Sequence, residues 1–161
     1  MGEWNRFTKE CVLESIRPEM TAAIQKHIET YNLGSILNDY LMCIETTSEK
    51  KKKGLFGGGG DKMVVQSAII TPLWLVLAVA GDKSGASALS AQLKDMVVTD
   101  YADTPGYKLL PDSGIEVTGI FTGRVGEQTI QRVSYFTGLG EEPAAKKFKE
   151  TLSRAIQETR K

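Results

Sequence analysis

The run MVVQSAIITPLWLVLAVAG, residues 63–81, holds no charged side chain between Lys62 and Asp82. Whatever this chain becomes, the whole stretch has to leave water. Its length is close to the roughly 20 residues that cross a bilayer as one helix, with a lysine cluster on one flank as the positive-inside rule prefers. A single span at 63–81 is therefore one alternative. Against it, Pro72 sits mid-run beside Gln66, Ser67 and Thr71, and an interior proline removes a helical hydrogen bond and clashes with the preceding turn. The Val, Ile, Leu and Trp content instead predicts two strands, 63–71 and 73–80, with Pro72 as a break or edge residue.

Other segments repeat the two-residue period. Tyr40, Met42, Ile44 and Thr46 alternate along one strand, and residues 88–92 and 94–100 read as two more. GIEVTGIFTG and QTIQRVSYFTG flank Arg124-Val125-Gly126-Glu127, which predicts a hairpin with Gly126 near its tip. Between them, DTPGYKLLPDSG reads as a long surface loop. The helical signals lie at the two ends of the chain. Trp4, Phe7, Cys11 and Val12 are spaced as a helical stripe over 4–16, and Pro18 opens a second stripe of Met20, Ile24, Ile28 and Tyr31 that stops at Asn32-Leu33-Gly34. A last helix starts at Pro143 and aligns Phe148, Leu152 and Ile156, with Glu141 and Glu142 at its start and Arg160 and Lys161 at its end, as the helix dipole favours.

Helices, then about seven strands, then one amphipathic helix predict an α+β fold. The sheet would be strongly bent and antiparallel, or a partly open barrel, capped by the C-terminal helix. Residues 1–34 would form an N-terminal helical extension and 35–161 the main domain. At 161 residues one domain is the expectation. Twenty Lys and Arg balance twenty Asp and Glu, which argues against a nucleic-acid partner. Cys11 and Cys43 are too few for a disulfide framework, so reduced thiols in the cytoplasm are the simpler reading, with a single bridge left open. One histidine, His27, and no CxxC pair leave no zinc site of the common kind, and no cofactor is implied.

The charge balance hides a local cluster, EKKKKGLFGGGGDK at 49–62. Four lysines beside an anionic surface contribute about 1 kcal/mol each. Leu55 and Phe56 could enter the interface while the glycine run lets them reach it. The plainer reading is a solvated hairpin tip, because charge and glycine both disfavour packing. Phosphate-loop patterns fail: from Gly54 the Walker spacing reaches Gly60 where lysine is required, and Gly138-Leu139-Gly140 runs into Glu141 and Pro143. An uncharacterised small enzyme remains an alternative through Asp95, Asp100, Asp103 and Asp112. No nucleophile is paired with a base by recognisable spacing, so a non-catalytic module is expected.

In element order, residues 36–160 resemble the pleckstrin-homology-like fold, in which seven strands precede a capping C-terminal helix. That resemblance implies a lipid-headgroup contact on the connection between the first two strands, where Lys50, Lys51, Lys52, Lys53, Leu55, Phe56 and Lys62 fall. The family's tryptophan on the capping helix is absent from 142–160, and Val64 stands where its phosphoinositide signature carries an arginine after Lys62. The expected role is a binding or adaptor module for anionic membrane lipids or a protein partner, placed in the cytoplasm and peripherally at the membrane. An extended peptide could pair with an exposed sheet edge. A homodimer through the N-terminal helices, using Trp4 and Phe7, is a further expectation.

Overall fold

Successive side chains of a strand point to opposite faces of its sheet, and in this chain both faces are apolar. The computed structural model describes residues 2–51, 60–125 and 128–161. Its strands are β1 (Trp4–Cys11), β2 (Met42–Lys50), β3 (Met63–Ile70), β4 (Trp74–Gly81), β5 (Ser87–Gln92), β6 (Val97–Asp100), β7 (Gly114–Val125) and β8 (Gln128–Gly138). They form one curled antiparallel sheet in the order β1-β2-β3-β4-β5-β7-β6, with β8 paired to β7. Since β8 takes one edge of β7, β5 and β6 share the other: Leu89 to Ala91 pair with Gly123 to Phe121, and Val97 to Asp100 with Thr118 to Ile115. A 3-10 turn at Leu93–Asp95 bends the chain between them. Eight segments thus fill seven strand positions of a half-barrel.

A helix covers each face. Inside the curl, Met42, Ile44, Ala68, Ile70, Leu75 and Leu77 pack with Phe148, Leu152 and Ile156 of α2 (Pro143–Glu158). On the outside, the alternating partners Cys43, Val65, Ile69, Val76 and Ala78 pack with Met20 and Ile24 of α1 (Pro18–Thr30). Burial on both faces explains the uncharged run at 63–81, because a sheet covered twice has no solvent side to fill with polar residues. That run is β3 and β4, joined at Pro72 and paired from Val64↔Gly81 to Ile70↔Leu75. The single-span alternative therefore fails: among the described residues no helix is long and apolar enough to cross a membrane.

The α1 stop follows the sequence. Asn32 adopts φ 53°, while Leu33 N–H donates to Ile28 O at 3.0 Å and Asn32 N–H to Glu29 O at 3.3 Å. These two bonds make a Schellman motif with asparagine in the left-handed position.

The predicted helix over 4–16 is a correction. Residues 4–11 are β1, fully paired with β2 from Trp4↔Lys50 to Cys11↔Cys43, followed by a 3-10 turn at Leu13–Ser15. The apolar spacing misled because the inward face of β1 is polar: Arg6 and Thr8 face inward while Phe7 is exposed. Only α1 of the expected N-terminal helices exists, so the expected dimer contact through two such helices loses one of them. The hairpin of β7 and β8 is as expected; Gly126, expected near its tip, lies outside the described residues.

Candidate functional site

Antiparallel pairing sends three connections to one end of the sheet. Lys50 ends β2, Met63 starts β3, Gly81 ends β4 and Ser87 starts β5, while Gly123 of β7 lies opposite Leu89. Of the sequence-predicted contact residues, Lys50, Lys51 and Lys62 stand at this rim. Lys50 N–H donates to Lys62 O at 2.8 Å and Lys51 N–H to Glu3 O at 2.8 Å, so the neck of the basic loop is a backbone ladder that also holds the start of the chain. Lys52, Lys53, Leu55 and Phe56 lie outside the described residues.

A pair of aspartates clasps the two hairpin ends. Asp61 accepts from Lys83 N–H at 2.7 Å and Ser84 N–H at 2.9 Å through Oδ1, and from Ser84 Oγ at 2.6 Å through Oδ2. Asp82 returns the arrangement, its Oδ1 accepting from Lys62 N–H at 2.9 Å and Met63 N–H at 3.3 Å. The Ser84 hydroxyl and the two backbone N–H groups hold the Asp61 carboxyl below its ordinary value. Each aspartate precedes an exposed lysine, Lys62 or Lys83. The repeated Asp-Lys dipeptide was the available sequence signal, and it lacks meaning until pairing places residue 61 beside residue 83.

Charge at the rim is nearly balanced in the described part. Lys50, Lys51, Lys62 and Lys83 face Glu3, Glu49, Asp61 and Asp82 as neighbours in sequence or pairing.

Next to the rim lies a cleft that sequence reasoning missed. Gly2, Glu3, Trp4, Tyr101, Leu109, Leu110, Pro111, Asp112 and Phe136 line it, with a volume of about 530 Å³. Arg6 holds three of these lining residues, Trp4, Asp112 and Phe136: Nε donates to Asp112 Oδ1 at 2.9 Å and Nη2 to Oδ2 at 2.7 Å, while Nη1 donates to Ser48 Oγ at 2.6 Å. The guanidinium also lies over Phe136 at 5.3 Å and Trp4 at 5.8 Å. Tyr101 packs edge-on against Phe136 and donates its hydroxyl to Leu110 O at 2.8 Å. Leu109 and Leu110 are 83% and 70% exposed at the cleft edge.

Of the carboxylates considered for catalysis, Asp100 and Asp112 line one cavity of about 470 Å³, and each is engaged by a cation. Asp112 belongs to Arg6, and Asp100 pairs with Lys149 at 3.1 Å and caps Ala102 N–H at 3.2 Å. His27 is buried, as a packed side chain on α1 should be, with Ser90 Oγ of β5 at 2.8 Å from its Nε2. Ser90 is fully buried too, so the pair docks α1 onto the sheet; burial pushes the His27 pKa down. Among the described residues, no group of three His, Cys, Asp or Glu side chains could hold a metal ion.

No known family matches this chain, and neither a curated protein nor a solved structure matches it.

Proposed function

We propose that the chain is a non-catalytic binding module that associates with anionic lipid headgroups through the rim of Lys50, Lys51, Lys52, Lys53 and Lys62, with Leu55 and Phe56 as the apolar contacts. The observation that carries this reading is the clasp: Asp61 and Asp82 engage their carboxylates with backbone N–H groups across the two hairpin ends, which brings the exposed Lys62 and Lys83 together at one rim. The lysines beside them stay at the outer surface.

Association of this kind is weak, salt-sensitive and without stereospecificity, since it sums single-charge terms of about 1 kcal/mol per lysine. Cosedimentation with phosphatidylserine vesicles is expected to rise with anionic lipid and fall with salt. Replacing Lys50, Lys51, Lys52 and Lys53 by Ala should abolish most of it; undiminished retention of that variant refutes the proposal.

A protein partner is the second reading, favoured by the exposed Leu109 and Leu110 beside the aromatic cleft. Such a contact would be apolar and would persist at salt concentrations that release vesicles.

A further inference from the structure

Cys11 and Cys43 are separated by 32 positions in sequence, yet they are direct partners across β1 and β2. Their sulfurs lie 3.0 Å apart, and both thiols are free. Direct antiparallel partners have Cα atoms about 4.5–5.5 Å apart, inside the range that a disulfide bridges, so bond formation needs roughly 1 Å of approach and no change of register. The two thiols differ in environment. Cys43 is 1% exposed within the outer core beneath α1. Cys11 is only partly buried and lines an open cavity of about 460 Å³ with Lys9, Glu10, Val12 and Ser15.

We propose that Cys11 and Cys43 form a reversible thiol oxidation site that takes hydroperoxides as its oxidant, with Cys11 as the attacking sulfur and Cys43 as the resolving one. A thiolate is the nucleophile in such chemistry. The hydrogen bond from Cys43, with smaller help from Ser15, lowers the Cys11 pKa against the opposing effect of burial; the nearby Glu45 carboxylate raises it and the Lys9 ammonium paired with that carboxylate offsets part of this. The same hydrogen bond and burial raise the Cys43 pKa. Charge therefore collects on the sulfur that solvent can reach.

In the first step Cys11 Sγ attacks one oxygen of hydrogen peroxide and the O–O bond breaks, giving a sulfenic acid and hydroxide, which takes up the proton lost by Cys11 to become water. In the second, Cys43 Sγ attacks Cys11 Sγ and the S–O bond breaks. The departing hydroxyl leaves as water with the Cys43 proton. Two thiols are oxidised by two electrons and one peroxide is reduced to two waters. A dithiol reductant reverses the bond by exchange.

The test treats the reduced full-length protein with stoichiometric hydrogen peroxide and follows intact mass, peptide mapping and free thiols. Both thiols should vanish together, with the mass lowered by two hydrogens, the chain still monomeric and the peptides of Cys11 and Cys43 linked. Cys43→Ser should halt at a sulfenic acid trapped by dimedone on Cys11, and Cys11→Ser should react roughly tenfold or more slowly, as expected for an occluded thiol. Disulfide-linked dimers, oxidation of Cys11 to the sulfinic acid with Cys43 unchanged, or a Cys11→Ser rate equal to the unmodified protein's would each overturn the assignment. Should a variant not fold, native alkylation of the unmodified chain decides: preferential labelling of Cys11 supports it, and equal labelling of both overturns it.

Discussion

Arg6 illustrates how a single side chain can close a sheet that strand pairing leaves open. It reaches from β1 to Asp112 before β7 and to Ser48 of β2, and it lies against Phe136 of β8. A side chain on Gly138 would strike the guanidinium, so the close approach needs glycine there. Both ends of the ion pair are largely shielded, at 13% and 18% side-chain exposure. Breaking a buried pair from one side leaves the other charge unmatched and costs about 3–5 kcal/mol when burial is complete. With the residual exposure here, Asp112→Ala should cost about 2 kcal/mol, measured as a lower urea midpoint with unchanged slope. Arg6→Lys should recover little of the contact, because a point ammonium cannot reproduce the two-pronged geometry or lie flat on a ring.

Elements read from the sequence succeed where one physical signal dominates. In α2, Phe148, Leu152 and Ile156 recur every four residues and all are buried, so the period alone identified the face that docks. In α1, proline at the first position and asparagine in the left-handed stop fixed both ends. β1 was illegible for the opposite reason: its inward residues Arg6 and Thr8 are polar, and their partners are remote in sequence, about forty residues away in Ser48 and Thr46 and more than a hundred away in Asp112 and Gly140. The clasp was hidden in the same way. Asp61 and Asp82 are ordinary loop residues until β3 and β4 pair. A Cβ on Gly81 would meet the Asp61 carboxylate, so Gly81→Ala should push that carboxylate off the Lys83 and Ser84 amides. Hydrogen exchange at those two amides is then expected to accelerate while amides of α2 keep their protection; unchanged exchange at both would show that the clasp adapts around the new methyl.

At the scale of the whole molecule the sheet is a shared wall between two cores, and α1 is the layer held by a titratable contact. His27 is buried against Ser90, and its ring lies tilted at 5.0 Å from that of Tyr31, the residue that ends its helix. Burial depresses its pKa from the ordinary 6.5. The unfolded chain therefore binds the proton more readily than the folded one, so stability is full above about pH 6.5 and declines as pH falls from there toward the depressed folded value. Thermal melts between pH 7.5 and 5 should show this slope, and His27→Gln should flatten it; an identical slope in the variant would remove His27 as its source.

The far edge of β1 is finished by the end of the chain: Thr8 N–H donates to Glu142 Oε1 at 2.6 Å and Gly140 N–H donates to Thr8 Oγ1 at 2.9 Å, across 134 and 132 positions. During synthesis, at about 5–20 residues per second, the first strand emerges many seconds before the atoms that cover it. Through that interval the amide and hydroxyl of Thr8 lack the partners that Glu142 and Gly140 later supply. That interval is the period in which ribosome-bound chaperones have most to shield.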